Sequence, residues 1–324
     1  LFYKRGADGQ LESQGMFPTG GLGTGEGIGS QSSLAMSDDG KYLYVVNPGS
    51  DNISSFEVFD DHLSLVTIVP SGGKRPVSLT LRGTRLYVVN ADDSTVNGFA
   101  VEEGWLIKIA GASQTLSTTE SATGPAQIGI NPGGDVLIVT EKATNLITTY
   151  RISLDGALSG RTSTDSIGMT PFGFDFAADG TLVVSEAFGG EEAKSTATSY
   201  RVNPDASLVA IEESEAVPSF QSAACWVAIN GGDAYVTNTA SNTVSLYQIS
   251  DKGELVLLDK DDGIVAELGD GRRPIDMAIV ADRYAYVLNA GTDNIVGYSI
   301  EDDGALVAME DILASPNAVG LLAR

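Results

Sequence analysis

Tyr44-Val45-Val46-Asn47 returns three times with little change, as Tyr87-Val88-Val89-Asn90, Tyr235-Val236-Thr237-Asn238 and Tyr286-Val287-Leu288-Asn289. Two degenerate copies, Ile138-Val139-Thr140-Glu141 and Val183-Val184-Ser185-Glu186, stand between them. The final residues of the six copies are 43, 51, 45, 52 and 51 residues apart. β-Branched and aromatic residues suit a pleated strand. A strand that recurs at this period is the sequence sign of a radially repeated sheet, a β-propeller.

Working outward from the phrase, a second repeated element lies about ten residues upstream, usually opened by proline. Its copies are Pro76 to Leu81, Pro125 to Ile130 and Pro171 to Phe176, with others beginning at Pro274 and Pro316. Copies without proline are Ser33 to Met36 and Cys225 to Ile229. Large apolar residues alternate with mostly small ones, the period of a strand, and proline is tolerated at a strand's first residue. These read as inner strands crowding toward a common axis. Turns such as Asp38-Asp39-Gly40 and Asp179-Gly180 lead into the phrase. Third strands follow, for example Ile53 to Phe56 and Val244 to Tyr247, and short fourth strands begin at Leu158, Leu255 and Leu306.

The expected fold is therefore all-β: a seven-bladed β-propeller with four-stranded antiparallel blades, forming a single domain over residues 1–324. Seven inner strands are counted but only six second strands. Phe2 to Leu11 aligns without gaps on Leu246 to Leu255, so the chain opens on a third strand. Ser315 to Leu322 reads as an inner strand. Both termini are then expected to build the last blade, which lacks one strand, and a removed preceding segment would account for the gap. Such closure would hide an exposed sheet edge.

Composition narrows the function classes. The 324 residues carry 43 acidic and 19 basic side chains, a net charge of −24. Nucleic acid and anionic membrane both require positive surface, so neither is an expected partner. No apolar run reaches the length of a membrane span. One cysteine, Cys225, permits no internal disulfide, and one histidine, His62, argues against zinc ligation and Ser-His catalysis. High Ser, Thr, Gly and Asn with low Lys lean toward a secreted or periplasmic address, with a cytoplasmic one as the alternative. A monomer is expected.

In a propeller blade the inner strand starts, and the second strand ends, on the same face. The phrase ends and proline-led openings would ring one mouth of a central channel, where loops on a rigid frame carry function. That face takes Lys74, Arg75, Lys142, Arg272 and Arg273, five of the nineteen cations. Glu141 and Glu186 stand where the repeat otherwise keeps Asn, which makes them the candidate catalytic pair. Lys142, Arg75, Arg273, Gln127, Trp226, Asn238 and Asn289 are the candidate ligand-binding residues. The implied partner is a small anionic molecule. No metal or cofactor is assigned, although hard oxygen donors at Glu141, Glu186 and the asparagines suit calcium or magnesium as a variant.

The Tyr-Val-x-Asn repeats, the blade count and the proline-led inner strands together resemble the seven-bladed lactonase family of phosphogluconolactonase and carboxy-muconate lactonizing enzymes. Gly124 to Gln127, Val139 to Lys142, Thr170 to Phe174 and Ser185 to Phe188 are similar to a lactonase-like subgroup. The resemblance implies a hydrolase or lactonizing isomerase. Family members thought catalytic carry His where this chain has Ala126-Gln127 and Arg-His where it has Phe172-Gly173. Thr239 stands where they carry Arg, and Glu186 matches their Glu. Two readings follow. In the first, a Glu general base acts on a small anionic lactone or sugar acid, at the raised pKa such work needs. In the second, a non-catalytic propeller with a decayed site binds a protein or carbohydrate partner.

Overall fold

The computed structural model describes residues 1–280 and 283–324. Its regular structure is antiparallel strand, with a single short 3-10 turn at Phe188–Gly190 among the described residues. All six phrases form second strands, each hydrogen-bonded on both sides. The chain divides into two compact units, 1–6, 11–164 and 204–206 in the first, 7–10, 165–203 and 207–324 in the second.

The first unit holds three blades. Blade 1 runs Leu34–Met36, Tyr42–Asn47, Asn52–Val58 and Leu63–Pro70. Blade 2 runs Pro76–Arg82, Arg85–Asn90, Thr95–Glu102 and Trp105–Thr115, and blade 3 runs Pro125–Ile130, Val136–Glu141, Leu146–Ile152 and Leu158–Asp165. The second unit is organised around three more. Blade 4 comprises Pro171–Phe176, Leu182–Glu186 and Thr196–Val202, with its outer strand in two pieces, Leu208–Ala210 and Val217–Pro218. Blade 5 comprises Ala224–Asn230, Asp233–Asn238 and Thr243–Ile249, its outer strand again split, into Leu255–Leu257 and Ala266–Glu267. Blade 6 runs Pro274–Val280, Tyr284–Asn289, Asn294–Ile300 and Leu306–Leu313.

The fold is thus the expected all-β propeller, with a correction to the blade count: six blades are built, not seven. Phe2–Arg5 and Leu11–Gly15 pair only with each other, as a two-stranded sheet. No strand forms over 315–322. The reason is a missing ladder partner. Strand backbone needs its N–H and C=O groups paired, and among the described residues no strand pairs with this segment. It is held instead by single contacts, Leu321 N–H to Asp276 Oδ2 at 2.7 Å and Asn317 N–H to Asp293 Oδ1 at 3.3 Å. The turn of this hairpin, residues 7–10 of the second unit, nonetheless meets blade 6 as other blade turns meet their neighbouring phrases. Tyr286 Oη donates to Gly9 O at 2.6 Å, as Tyr87 does to Gly156 O at 2.7 Å and Tyr235 to Gly304 O at 2.9 Å. Gly9, at φ +83°, must be glycine, because a Cβ there would lie 2.4 Å from the Tyr284 ring.

The core consists of layers between adjacent blades. Tyr44, Val46, Leu79, Val88 and Phe99 pack between blades 1 and 2, and Tyr235, Val244, Met277, Val287 and Tyr298 between blades 5 and 6. Second strands are covered on both faces: every residue of Val136–Glu141 and of Leu182–Glu186 is buried. That is why they read as continuous apolar runs rather than alternating ones. Where Tyr is absent from the phrase, a third-strand hydroxyl makes the equivalent bond. Thr149 Oγ1 donates to Ala206 O and Ser199 Oγ to Gly253 O, both at 2.6 Å.

Candidate functional site

The six phrase ends begin as one structural device. Asn47 Nδ2 donates to Asn52 Oδ1 and Ser54 Oγ, each at 2.7 Å, tying the end of the second strand to the start of the third. Asn238 repeats this with Thr243 Oγ1 at 3.1 Å and Ser245 Oγ at 2.9 Å. Asn90 reaches Thr95 Oγ1 at 3.2 Å and Asn289 reaches Asn294 Oδ1 at 3.2 Å. These side chains are buried, and the Oδ1 atoms of Asn90, Asn238 and Asn289 have no protein partner.

Glutamate changes the device by one methylene of reach and a second acceptor oxygen. In the first unit, Glu141 accepts Thr148 Oγ1 at 2.5 Å, seven residues on, as Asn47 meets Ser54. It also accepts Thr144 Oγ1 at 3.0 Å, Ser117 N–H at 3.1 Å and the Ser117 hydroxyl. In the second unit, Glu186 accepts Gly168 N–H at 2.8 Å, Thr198 Oγ1 at 2.8 Å, Ser166 Oγ at 3.4 Å and the Thr196 hydroxyl. Ser117 and Gly168 lie in the connectors that enter blades 3 and 4. Each glutamate therefore ties a connector to the end of its own blade. Nearby tyrosines hold the same connectors, Tyr150 Oη donating to Thr115 O at 2.7 Å and Tyr200 Oη accepting Ile167 N–H at 3.1 Å.

A carboxylate has about four lone-pair sites, and both glutamates receive four donors. Both side chains are fully buried. Burial raises the Glu186 pKa against the opposing pull of Thr196, Gly168, Thr198 and Ser166, which all favour the charged form. Gly168 has no room for a side chain: a Cβ would stand 2.2 Å from Glu186 Oε2. Gly73 and Gly21 meet Asn90 and Asn47 in the same way.

The other sequence-nominated residues divide by exposure. Asn238 and Asn289 belong to the phrase-end device just described. Gln127 is buried, with Nε2 3.4 Å from Ser32 Oγ. Trp226 is buried against Phe172, their ring centroids 4.9 Å apart, so a large ring fills a position where neighbouring inner strands carry small or polar groups. Lys142 Nζ donates to Gly29 O. Arg75 is part-exposed and pairs loosely with Asp92, Nη1 to Oδ1 at 3.4 Å, while its backbone N–H donates to Asp51. Arg273 is exposed. Its backbone N–H donates to Asn242 Oδ1 at 2.8 Å, and its guanidinium has no partner among the described residues. Neighbouring Arg272 is tied to Asp311 at 2.6 Å. No group of three or more His, Cys, Asp or Glu side chains that could hold a metal occurs among the described residues.

Sequence reasoning missed the donors that saturate the glutamates: Ser117 and Gly168 because the connectors carry no repeat, and Thr196 and Thr198 because the third strand of blade 4 starts later after its phrase end than in the other blades. One signal was present: a hydroxyl seven residues after the phrase end at Ser54, Thr148 and Ser245. It also passed over two inner-strand acids. Asp175 accepts Ile229 N–H at 2.9 Å and Phe176 N–H at 2.8 Å, and burial pushes its pKa up to about 6. Asp276 accepts Met277 N–H at 2.9 Å as well as Leu321 N–H, and burial pushes its pKa up to about 7.

Hydroxyl and carboxylate ties between propeller blades define a scaffold whose phrase ends are spent on the fold. The family model described as lactonase, 7-bladed beta-propeller matches residues 2–105 and 82–228, more than half of the sequence, and the chain belongs to that family. Among solved structures it is similar to a putative 6-phosphogluconolactonase from Bacteroides fragilis, with TM-score 0.73 and 20% identity over 89% of this chain and 85% of that one. It is also similar to the periplasmic gluconolactonase PpgL of Pseudomonas aeruginosa, with TM-score 0.75 and 16% identity over 98% and 93% of the two chains. Virginiamycin B lyase from Staphylococcus aureus aligns at TM-score 0.61 and 14% identity over 91% and 89%. At these identities the likeness is one of fold. No curated protein matches the sequence.

Proposed function

We propose that this lactonase-family propeller binds a small anionic lactone or sugar acid, with Arg273 supplying the charge that holds it. On this reading Glu141 and Glu186 serve the fold and do not act as bases. The observation that carries it is their saturation: a carboxylate with four donors and no exposed surface has no lone pair to offer a substrate proton. The unpartnered Arg273 guanidinium, exposed on a strongly acidic molecule, is the contrasting case, a cation not spent on the fold. Family membership supports the ligand class, as do the gluconolactonase and 6-phosphogluconolactonase among its structural neighbours.

Calorimetric titration with gluconate, 6-phosphogluconate and δ-gluconolactone tests the proposal. Arg273→Ala should weaken binding by about tenfold, the worth of one charge-assisted hydrogen bond, while Glu186→Gln leaves affinity unchanged. Equal affinity in Arg273→Ala would count against it.

A second reading, a Glu general base in a lactonase or lactonizing isomerase, is favoured by the raised pKa of Glu186. Lactone turnover that disappears in Glu186→Gln or Glu141→Gln, with melting temperature preserved, would establish that reading instead. Binding of a protein or carbohydrate partner without turnover remains the form a decayed site would take.

A further inference from the structure

We propose that a cleft formed by loops of blades 1 and 2, from the turns after both phrases and the connector between the blades, is a binding site for a neutral sugar. The cleft has a volume of about 500 Å³ and lies wholly within the first unit, in the size range of small-molecule sites. Its polar wall is Asp51, Asn52, Lys74 and Asp93, and its apolar wall is Val69 and Pro70.

What marks the cleft is hydrogen-bonding capacity left over after the fold is satisfied. Asp51 spends Oδ1 on Arg75 N–H at 2.7 Å, and its Oδ2 has no partner among the described residues. Asn52 spends Oδ1 on Asn47 Nδ2 at 2.7 Å, and its amide NH2 donates to nothing among the described residues. Lys74 donates its backbone N–H to Asp93 Oδ2 at 3.1 Å, and its ammonium is unpaired. Asp93 also accepts Thr95 Oγ1 at 2.8 Å. Glu141 and Glu186 have no such remainder.

The floor is shaped by glycine. A Cβ on Gly72 would lie 2.6 Å from Asn97 Oδ1, and one on Gly73 would lie 2.5 Å from Thr95 Oγ1. The loop is therefore pressed against the blade ends, which leaves the space above it open.

These groups select the ligand chemistry. A free carboxylate oxygen needs a donor, whereas an ammonium and an amide NH2 need acceptors. Adjacent hydroxyls on one ring supply both, because each donates and accepts. Two carboxylates flanking one lysine disfavour an anion, and the lysine disfavours a cation. The C–H edge of a sugar ring can lie against Val69 and Pro70. The site is distinct from that of the anionic ligand proposed above, since it does not use Arg273.

Amide-resolved NMR titration of the full chain with glucose, galactose, mannose and cellobiose tests the proposal. Shift changes confined to residues 50–52, 69–74 and 93, saturating with at least one of these sugars, are expected. Lys74→Met should weaken that sugar by about tenfold, and its fold is secure because the ammonium touches no protein group. Asp51→Asn keeps an acceptor for Arg75 N–H and should weaken binding likewise, whereas Arg273→Ala should leave it unchanged. Three outcomes would overturn the proposal: no saturable shifts at this loop with any of the four sugars, shifts there only with gluconate, or undiminished affinity in both Lys74→Met and Asp51→Asn.

Discussion

At the scale of single residues, the departure from Asn to Glu at 141 and 186 is a change in what the phrase end can reach. Asparagine offers its amide to the third strand and leaves Oδ1 unpartnered in blades 2, 5 and 6. Glutamate extends one bond further, exchanges a donor for an acceptor, and takes the N–H of the incoming connector. Glu186→Ala should therefore destabilise the protein by about 3 kcal/mol in denaturant unfolding, because it strands buried donors at Gly168, Thr196 and Thr198. Glu186→Gln should cost about 1 kcal/mol, since Thr196 can rotate its hydroxyl to accept. Gly168→Ala should cost about 2 kcal/mol by driving a methyl into the carboxylate. Equal unfolding midpoints for Glu186→Ala and the parent would refute the assignment. The substitution itself was legible in the sequence as a break in a repeat, but its meaning was not. The backbone donors that give it meaning, Gly168 and Ser117, lie 18 and 24 residues upstream, in connectors with no pattern to align.

At the scale of elements, the strands were legible wherever local pattern and ladder partner coincided. Pro125–Ile130 and Pro171–Phe176 occur with the bounds their alternation suggests, and the outer strands begin at Leu158, Leu255 and Leu306 as read. Ser315 to Leu322 carries the same pattern and forms no strand, because strand formation is a property of a pair and not of a segment. The N-terminal hairpin shows the converse. Two strands alone are marginal in water, yet its turn is fixed by tertiary bonds, Tyr286 Oη to Gly9 O and Tyr284 Oη to Ala7 O at 3.0 Å. Tyr286→Phe should cost about 1 kcal/mol and accelerate amide hydrogen exchange at residues 2–15. Tyr235→Phe, which loosens the Gly304 turn instead, should leave exchange at those residues unchanged. Identical hairpin exchange in both variants would show that the tyrosine bond does not hold it.

At the scale of the molecule, a net charge of −24 makes carboxylate protonation the main lever on stability. Protonating acids relieves part of the self-repulsion of so strongly charged a molecule. Asp276 adds a local contribution on top. Its two backbone donors favour the carboxylate, but burial outweighs them and lifts the pKa from 3.8 to about 7. The folded protein thus holds this proton more tightly than the unfolded chain does. Its contribution to stability is fully present below 3.8 and is lost as pH rises through about 7. Asp276→Asn removes the titration while keeping an acceptor for one of the two amides. The parent's melting temperature should then fall more steeply between pH 4 and pH 7.5 than that of Asp276→Asn, measured by calorimetry in matched ionic strength. Parallel melting curves for parent and variant would mean that the surface acids account for the whole pH dependence, and that burial at Asp276 is relieved by movement of the C-terminal segment.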